Sequence, residues 1–153
     1  MRDDSEKAEV SYILSQSTPY RVCPLGAHVD HQHGLVTGFA IDRGVNLRYK
    51  ETNDGKVELK SKNYKGKVSF YMSDIPERSF LWGDFVLGAV KTLQRKYSLK
   101  KGIEGVIEGT LPVGGLSSSA AVIITYLQAL CKVNGIHLTQ NELIQNAIWE
   151  EKN

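Results

Sequence analysis

Two short stretches concentrate the residues able to do chemistry. The first is Leu111-Pro112-Val113-Gly114-Gly115-Leu116-Ser117-Ser118-Ser119-Ala120-Ala121. Its glycines let the backbone bend sharply and let an anion come close. Its serines offer hydroxyl donors where a following helix would expose unpaired N–H groups and the positive end of its dipole. The chemistry this suits is the holding of phosphate. It is not a Walker loop, because the Lys of G-x-x-x-x-G-K-[ST] is absent, and it is not the G-x-G-x-x-G of a dinucleotide fold. The plainer alternative is a serine N-cap followed by a small-residue packing face.

The second stretch is Arg21-Val22-Cys23-Pro24-Leu25-Gly26-Ala27-His28-Val29-Asp30-His31-Gln32-His33-Gly34. Three readings stay open for it. Imidazoles with a carboxylate can ligate zinc, but no second cluster completes a ligand set, and His137 stands apart. Asp, His and Arg together also suit a polar loop that hydrogen-bonds sugar hydroxyls. The third reading is a solvated loop that happens to contain histidine.

The surrounding pattern supplies elements to carry these stretches. Residues 3–15 are expected to form a short amphipathic helix, with Val10, Ile13 and Leu14 on one face. From Pro19 to Gly38 a strand is expected to enter a structured loop. Val45, Leu47 and Tyr49 alternate with polar residues, as do Val57 and Leu59, and Asn53-Asp54-Gly55 between them signals a hairpin turn. A strand from Val68 to Tyr71 extends this antiparallel meander. Trp82, Phe85, Val86, Ala89, Val90, Leu93 and Tyr97 recur at helical spacing. A strand over Ile103 to Thr110 leads into the serine-rich stretch. A helix begins near Ser118, with Ala121, Ile124, Leu127 and Cys131 on its apolar face, and ends at Gly135. Thr139 and Glu142 form a capping box for a last helix carrying Leu143, Ile144, Ala147 and Ile148. That helix shows no stop signal before Asn153, so the sequence reads as cut short.

Bulk properties narrow the class. The 153 residues suffice for one domain, with 41% hydrophobic and 24% charged residues. A formal net charge of +2 and no long Lys/Arg run argue against nucleic acid as a partner. The polar N-terminus does not resemble a signal peptide, and no apolar run is long enough to span a membrane. Two widely separated cysteines, Cys23 and Cys131, suit a reduced, cytoplasmic protein.

Taken together, the two stretches resemble a known family. Gly114 to Ala121 resembles the second motif of the GHMP kinases, which include galactokinase, homoserine kinase and mevalonate kinase. Pro19 to His31 resembles the galactokinase signature P-G-R-V-N-L-I-G-E-H-T-D-Y, and Leu81-Trp82-Gly83 also fits. The departures are Cys-Pro for Asn-Leu, Ala27 for the Glu, and His31 for the Tyr; these are similar to plant-type galacturonokinases. The Glu-to-Ala difference has a physical rationale, since a hexuronic acid carries a C6 carboxylate that a Glu would repel.

The resemblance implies an α+β fold of the ribosomal protein S5 domain 2-like type, with an antiparallel meander and packed helices. It implies that residues 1–153 are the N-terminal sugar- and ATP-binding domain, with a second domain to follow. It implies transfer of the ATP γ-phosphate to a sugar anomeric hydroxyl, with galacturonate favoured over galactose. By position, Gly114, Gly115, Leu116, Ser117, Ser118, Ser119 and Ala120 would wrap the triphosphate. Ser119 and Glu151 would ligate Mg2+. Arg21 would stabilise charge at the reacting oxygens. Arg21, Ala27, His28 and Asp30 would line the sugar site. The family's catalytic Asp lies in a G-I-[ML]-D-Q motif about a dozen residues past the position of Glu151, and nothing in this chain matches it. The chain by itself is therefore expected to be inactive, with uncovered apolar surface that favours self-association. The alternative is a non-catalytic sugar- or nucleotide-binding module.

Overall fold

An extended chain points successive side chains to opposite faces, and the stretch from Val45 to Tyr49 obeys this. In the computed structural model, which describes residues 14–25, 32–79, 81–109 and 118–153, Val45, Leu47 and Tyr49 are buried while Asn46 and Arg48 are exposed. They lie in β2 (Thr37–Thr52). The other strands are β1 (Leu14–Leu25), β3 (Lys56–Ser61), β4 (Lys67–Tyr71) and β5 (Gly102–Gly109). The helices are α1 (Asp84–Gln94), α2 (Ser118–Val133) and α3 (Gln140–Lys152).

The five strands form one sheet in the order β1-β2-β5-β3-β4. Every neighbouring pair is antiparallel except β3 and β5, which are parallel. The expected direct hairpin of β2 with β3 is therefore not made. Gly55 does turn the chain, at φ +77°, but β5 lies between the two strands. Its composition explains why. Ile103, Val106 and Ile107 are buried, and a strand apolar on both faces belongs in the middle of a sheet. Gly105 makes the close approach to β2, because a Cβ there would overlap the Arg48 carbonyl oxygen.

The N-terminal helix expectation is corrected at its end. Leu14 and Ser15 belong to β1, opposite Tyr49 and Arg48. Leu14, Gln16, Thr18 and Tyr20 turn inward while Ser15, Ser17 and Pro19 are exposed, so period-two alternation overrides the helical spacing. The rest of that stretch, residues 1–13, lies outside the described residues.

The helices stack in layers. α2 rests on β1, β2 and β5, and α1 and α3 pack on α2. A helix covered from several sides should be apolar nearly all round, and α2 buries Ala121, Ile123, Tyr126, Leu127, Ala129, Leu130, Cys131 and Val133. Each large aliphatic side chain taken from water contributes about 1.5–3 kcal/mol. α2 ends as expected at Gly135, with φ +66°. The Ile136 N–H donates to the Cys131 carbonyl at 2.9 Å and the Gly135 N–H to the Lys132 carbonyl at 3.4 Å, the pattern of a Schellman motif. α3 opens on the expected capping box: the Glu142 N–H donates to Thr139 Oγ1 at 3.2 Å, and the Thr139 N–H donates to Glu142 Oε2 at 2.7 Å. Both cysteines are free thiols, and burial pushes the Cys131 thiol up to about 11. Among the described residues, no helix is long and apolar enough to cross a membrane.

Candidate functional site

The layering brings the start of α1, the start of α2 and the end of α3 to the same edge of the molecule. A cleft of about 430 Å³ opens there, lined by Arg78, Asp84, Phe85, Ser119, Ile123, Glu150 and Glu151. Ser119 and Ile123 are one helical turn apart on α2 and so face the same way. The first turn of α2 carries no acidic residue, so the positive end of its dipole is not offset from within the helix. Asp84 opens α1, and its Oδ1 accepts from the Ser79 N–H at 3.0 Å and the Ser79 hydroxyl at 3.3 Å. This holds the segment that bears Arg78 against the helix.

The side of the cleft formed by α3 carries an unusual carboxylate. Glu150 is 5% exposed, and neither of its carboxyl oxygens has a hydrogen-bond partner among the described residues. Its side chain fills the space that Gly88 leaves on α1, since a Cβ at Gly88 would come within 2.7 Å of Glu150 Oε1. Burial pushes the Glu150 carboxyl up to about 8; the Arg78 guanidinium pulls it back, and the Glu151 charge adds to the rise. The Tyr126 hydroxyl is likewise buried without a partner among the described residues. Burial raises it first, and the Glu150 charge second.

The structure places the expected site residues unevenly. Ser118, Ser119 and Ala120 form the first turn of α2. Ser119 and Glu151, far apart in sequence, line the same cleft. A hydroxyl and a carboxylate are hard oxygen donors of the kind Mg2+ takes together with water and phosphate oxygens, so this donor set fits that ion. Arg21 is not among the described residues lining this cleft; it lies in β1 opposite Ala40, with its aliphatic stem along Gly38. Ala27, His28 and Asp30, and likewise Gly114, Gly115, Leu116 and Ser117, fall outside the described residues.

Sequence reasoning missed Arg78, Asp84, Phe85, Ile123 and Glu150 as cleft residues. Glu150 left a signal. It shares the buried stripe of α3 with Asn146 and Ala147, and a carboxylate on a buried stripe calls for an explanation. Arg78 left none, because it lies between β4 and α1, outside any periodic element.

Residues 84–153 match the family model described as the GHMP kinases N terminal domain. The chain is 36% identical to galacturonokinase of Arabidopsis thaliana, over 92% of this chain and 37% of that protein. It is 34% identical to galactokinase of Thermococcus kodakarensis, over 82% of this chain and 35% of that one. The crystal structure of Lactococcus lactis galactokinase complexed with galactose superimposes with a TM-score of 0.86 at 28% identity, covering 97% of this chain and 41% of that one. Mevalonate kinase of Methanococcus jannaschii shares the fold, with a TM-score of 0.80 at 23% identity, covering 93% of this chain and 46% of that one. The chain thus spans 35–46% of the length of these relatives. With the serine-rich stretch leading into α2, the sheet order and these likenesses agreeing, the chain belongs to the GHMP kinase family and carries its N-terminal domain.

Proposed function

We propose that the whole protein is an ATP-dependent sugar-1-kinase that transfers the γ-phosphate to the anomeric hydroxyl of galacturonate. The observation that carries this reading is the convergence of Ser119 and Glu151 on one cleft beside the start of α2. Phosphoryl transfer depends mainly on positioning and on neutralising charge. The chain's parts have matching tasks. Gly114 to Ala120 hold the triphosphate through backbone N–H groups and hydroxyls. Ser119 and Glu151 hold Mg2+, which neutralises charge on the phosphate oxygens. Arg21 supplies a fixed cation for the reacting oxygens, and His28 and Asp30 hold sugar hydroxyls.

The choice of sugar rests on Ala27. Galactokinase-like sequences carry Glu at this place, and in the proposed pose it faces C6. A neutral C6 hydroxyl donates to a carboxylate, an interaction worth ~1.5–3 kcal/mol. Two carboxylates ~4 Å apart repel by about 4 kcal/mol at an effective dielectric of ~20. In the full-length protein, Ala27→Glu is expected to shift the ratio of kcat/KM values from galacturonate towards galactose by at least ~100-fold. An unchanged ratio refutes the placement of Ala27 or the choice of a hexuronic acid. The 153-residue chain by itself lacks a match to the catalytic G-I-[ML]-D-Q motif and is expected to turn over no ATP with either sugar. Sugar-dependent turnover by that chain, above a control preparation, overturns this part of the reading.

A further inference from the structure

Among the described residues lining the cleft, Arg78 alone carries a positive charge, and Asp84, Glu150 and Glu151 carry carboxylates. None of the three closes on it. Glu150 is buried against Gly88, Asp84 Oδ1 accepts twice from Ser79, and Glu151 belongs to the proposed cation site. Burial raises the Glu150 carboxyl and the Arg78 guanidinium pulls it back through charge, yet Arg78 makes no ion pair or hydrogen bond with a described residue. A guanidinium presents five N–H donors in a planar fork that matches the oxygens of a carboxylate or a phosphate. On this exposed residue the fork is left open.

The backbone on either side of Arg78 is held. Just past β4 the Asp74 N–H donates to the Tyr71 carbonyl at 2.9 Å, closing a tight turn. Pro76 then fixes its own φ two residues before Arg78. On the other side, the Ser79 N–H and hydroxyl are clamped to Asp84 in the first turn of α1. The Trp82 indole N–H donates to the Lys65 carbonyl at 3.2 Å, which fastens the entry to α1 onto the connection between β3 and β4. An arm whose root is pinned in this way has less freedom to lose when it binds.

Ser119, Glu151 and Arg78 share one space of about 430 Å³, the volume of roughly fourteen waters. A ligand held at Ser119 is therefore within reach of the Arg78 side chain. A divalent cation held by Ser119 and Glu151 takes further ligands from phosphate oxygens and water, and it neutralises only part of the charge of a triphosphate. We propose that Arg78 is a phosphate-binding residue of the nucleotide site, supplying the second positive charge in the cleft. This rests on the reading that Ser119 and Glu151 hold the cation of MgATP.

The test is made on the full-length protein, with MgATP affinity from calorimetry, Mn2+ affinity without nucleotide from water-proton relaxation, and thermal melting on the same samples. Arg78→Gln is expected to lower MgATP affinity by about 10- to 100-fold, the effect of one lost hydrogen-bonded charge. The same substitution removes a charge that repels cations, so Mn2+ alone is expected to bind as tightly as before or more tightly. The two affinities thus part company, whereas Ser119→Ala is expected to lower both. If Arg78→Gln lowers both together, or lowers the melting temperature along with MgATP affinity, Arg78 acts through the cation site or the fold and the proposal falls. If Ser119→Ala weakens MgATP binding and Arg78→Gln does not, the proposal falls and the phosphate-binding reading stands. If the unaltered protein binds no MgATP, both fall together.

Discussion

Replacing Glu150 by Gln keeps the shape that fills the space over Gly88 and removes the ionisable group. An unfolded glutamate titrates near 4.5, whereas in the folded chain burial holds the carboxyl near 8. Between these values the unfolded chain releases a proton that the folded chain keeps, so folding binds protons and stability falls as pH rises. The stabilising contribution is whole below ~4.5 and is lost as pH climbs through ~8. The full span is 3.5 pKa units (8 − 4.5), and at ~1.36 kcal/mol per unit that is on the order of 5 kcal/mol. Of this, roughly 2–3 kcal/mol is lost between pH ~5 and ~7, and about 1–1.5 kcal/mol more by pH ~9. Gln has no such titration. Urea denaturation without divalent cations, at acid, neutral and alkaline pH, is expected to show Glu150→Gln gaining on the parent steadily as pH rises. The difference in slope is the diagnostic quantity, because a constant offset only reports how well the amide packs. Parallel pH profiles for the two proteins would refute the buried, unpartnered carboxylate as their source.

Thr139→Ala removes the N-cap of α3 and should cost about 1 kcal/mol in denaturant melts. The Thr139 backbone N–H holds the Glu142 carboxyl below its usual range, so the Glu142 contribution is present above the ordinary glutamate pKa and disappears as pH falls through the lowered one. A stability profile down the acid limb checks this. Gly105→Ala drives a methyl into the Arg48 carbonyl oxygen and should destabilise by at least ~3 kcal/mol, read as a lowered melting midpoint. Ser119→Ala and Glu151→Gln should each weaken Mn2+ binding in the presence of ATP by at least ~10-fold, measured by paramagnetic relaxation of water protons. Unaltered binding in either variant removes that residue from the cation site.

Local chemistry made much of the architecture legible. The Thr139–Glu142 box and Gly135 each satisfy backbone groups within a few residues, so their signals are complete in the sequence. The alternation through Val45, Leu47 and Tyr49 likewise reports one buried face. Pairing is another matter. The turn at Gly55 suggests that β2 and β3 are partners, yet only the apolar character of β5 hints that it separates them, and periodicity carries no information about which strand lies beside which. The site divides along the same line. The serine-rich stretch announces phosphate chemistry by composition, and Ser119 was found through it. Arg78 and Asp84 reach the cleft only because three helix ends meet, a tertiary fact with no local mark. For Glu150 a mark exists, its place on the buried stripe of α3 beside Asn146 and Ala147.

The insertion of β5 between β2 and β3 has a consequence for the nascent chain. β1 with β2, and β3 with β4, pair with near neighbours in sequence, so each ribbon can close as soon as it leaves the ribosome. Neither can join the other, because the strand that cements them is made only after α1. Until then both ribbons keep an unpaired inner edge, the feature that invites pairing between chains. Assembly of the sheet is thus a late, long-range event with a high loop-closure cost, expected to be slow beside the formation of the helices. The interval before β5 emerges is when a chaperone has most to protect, and a translational pause there would lengthen the exposure.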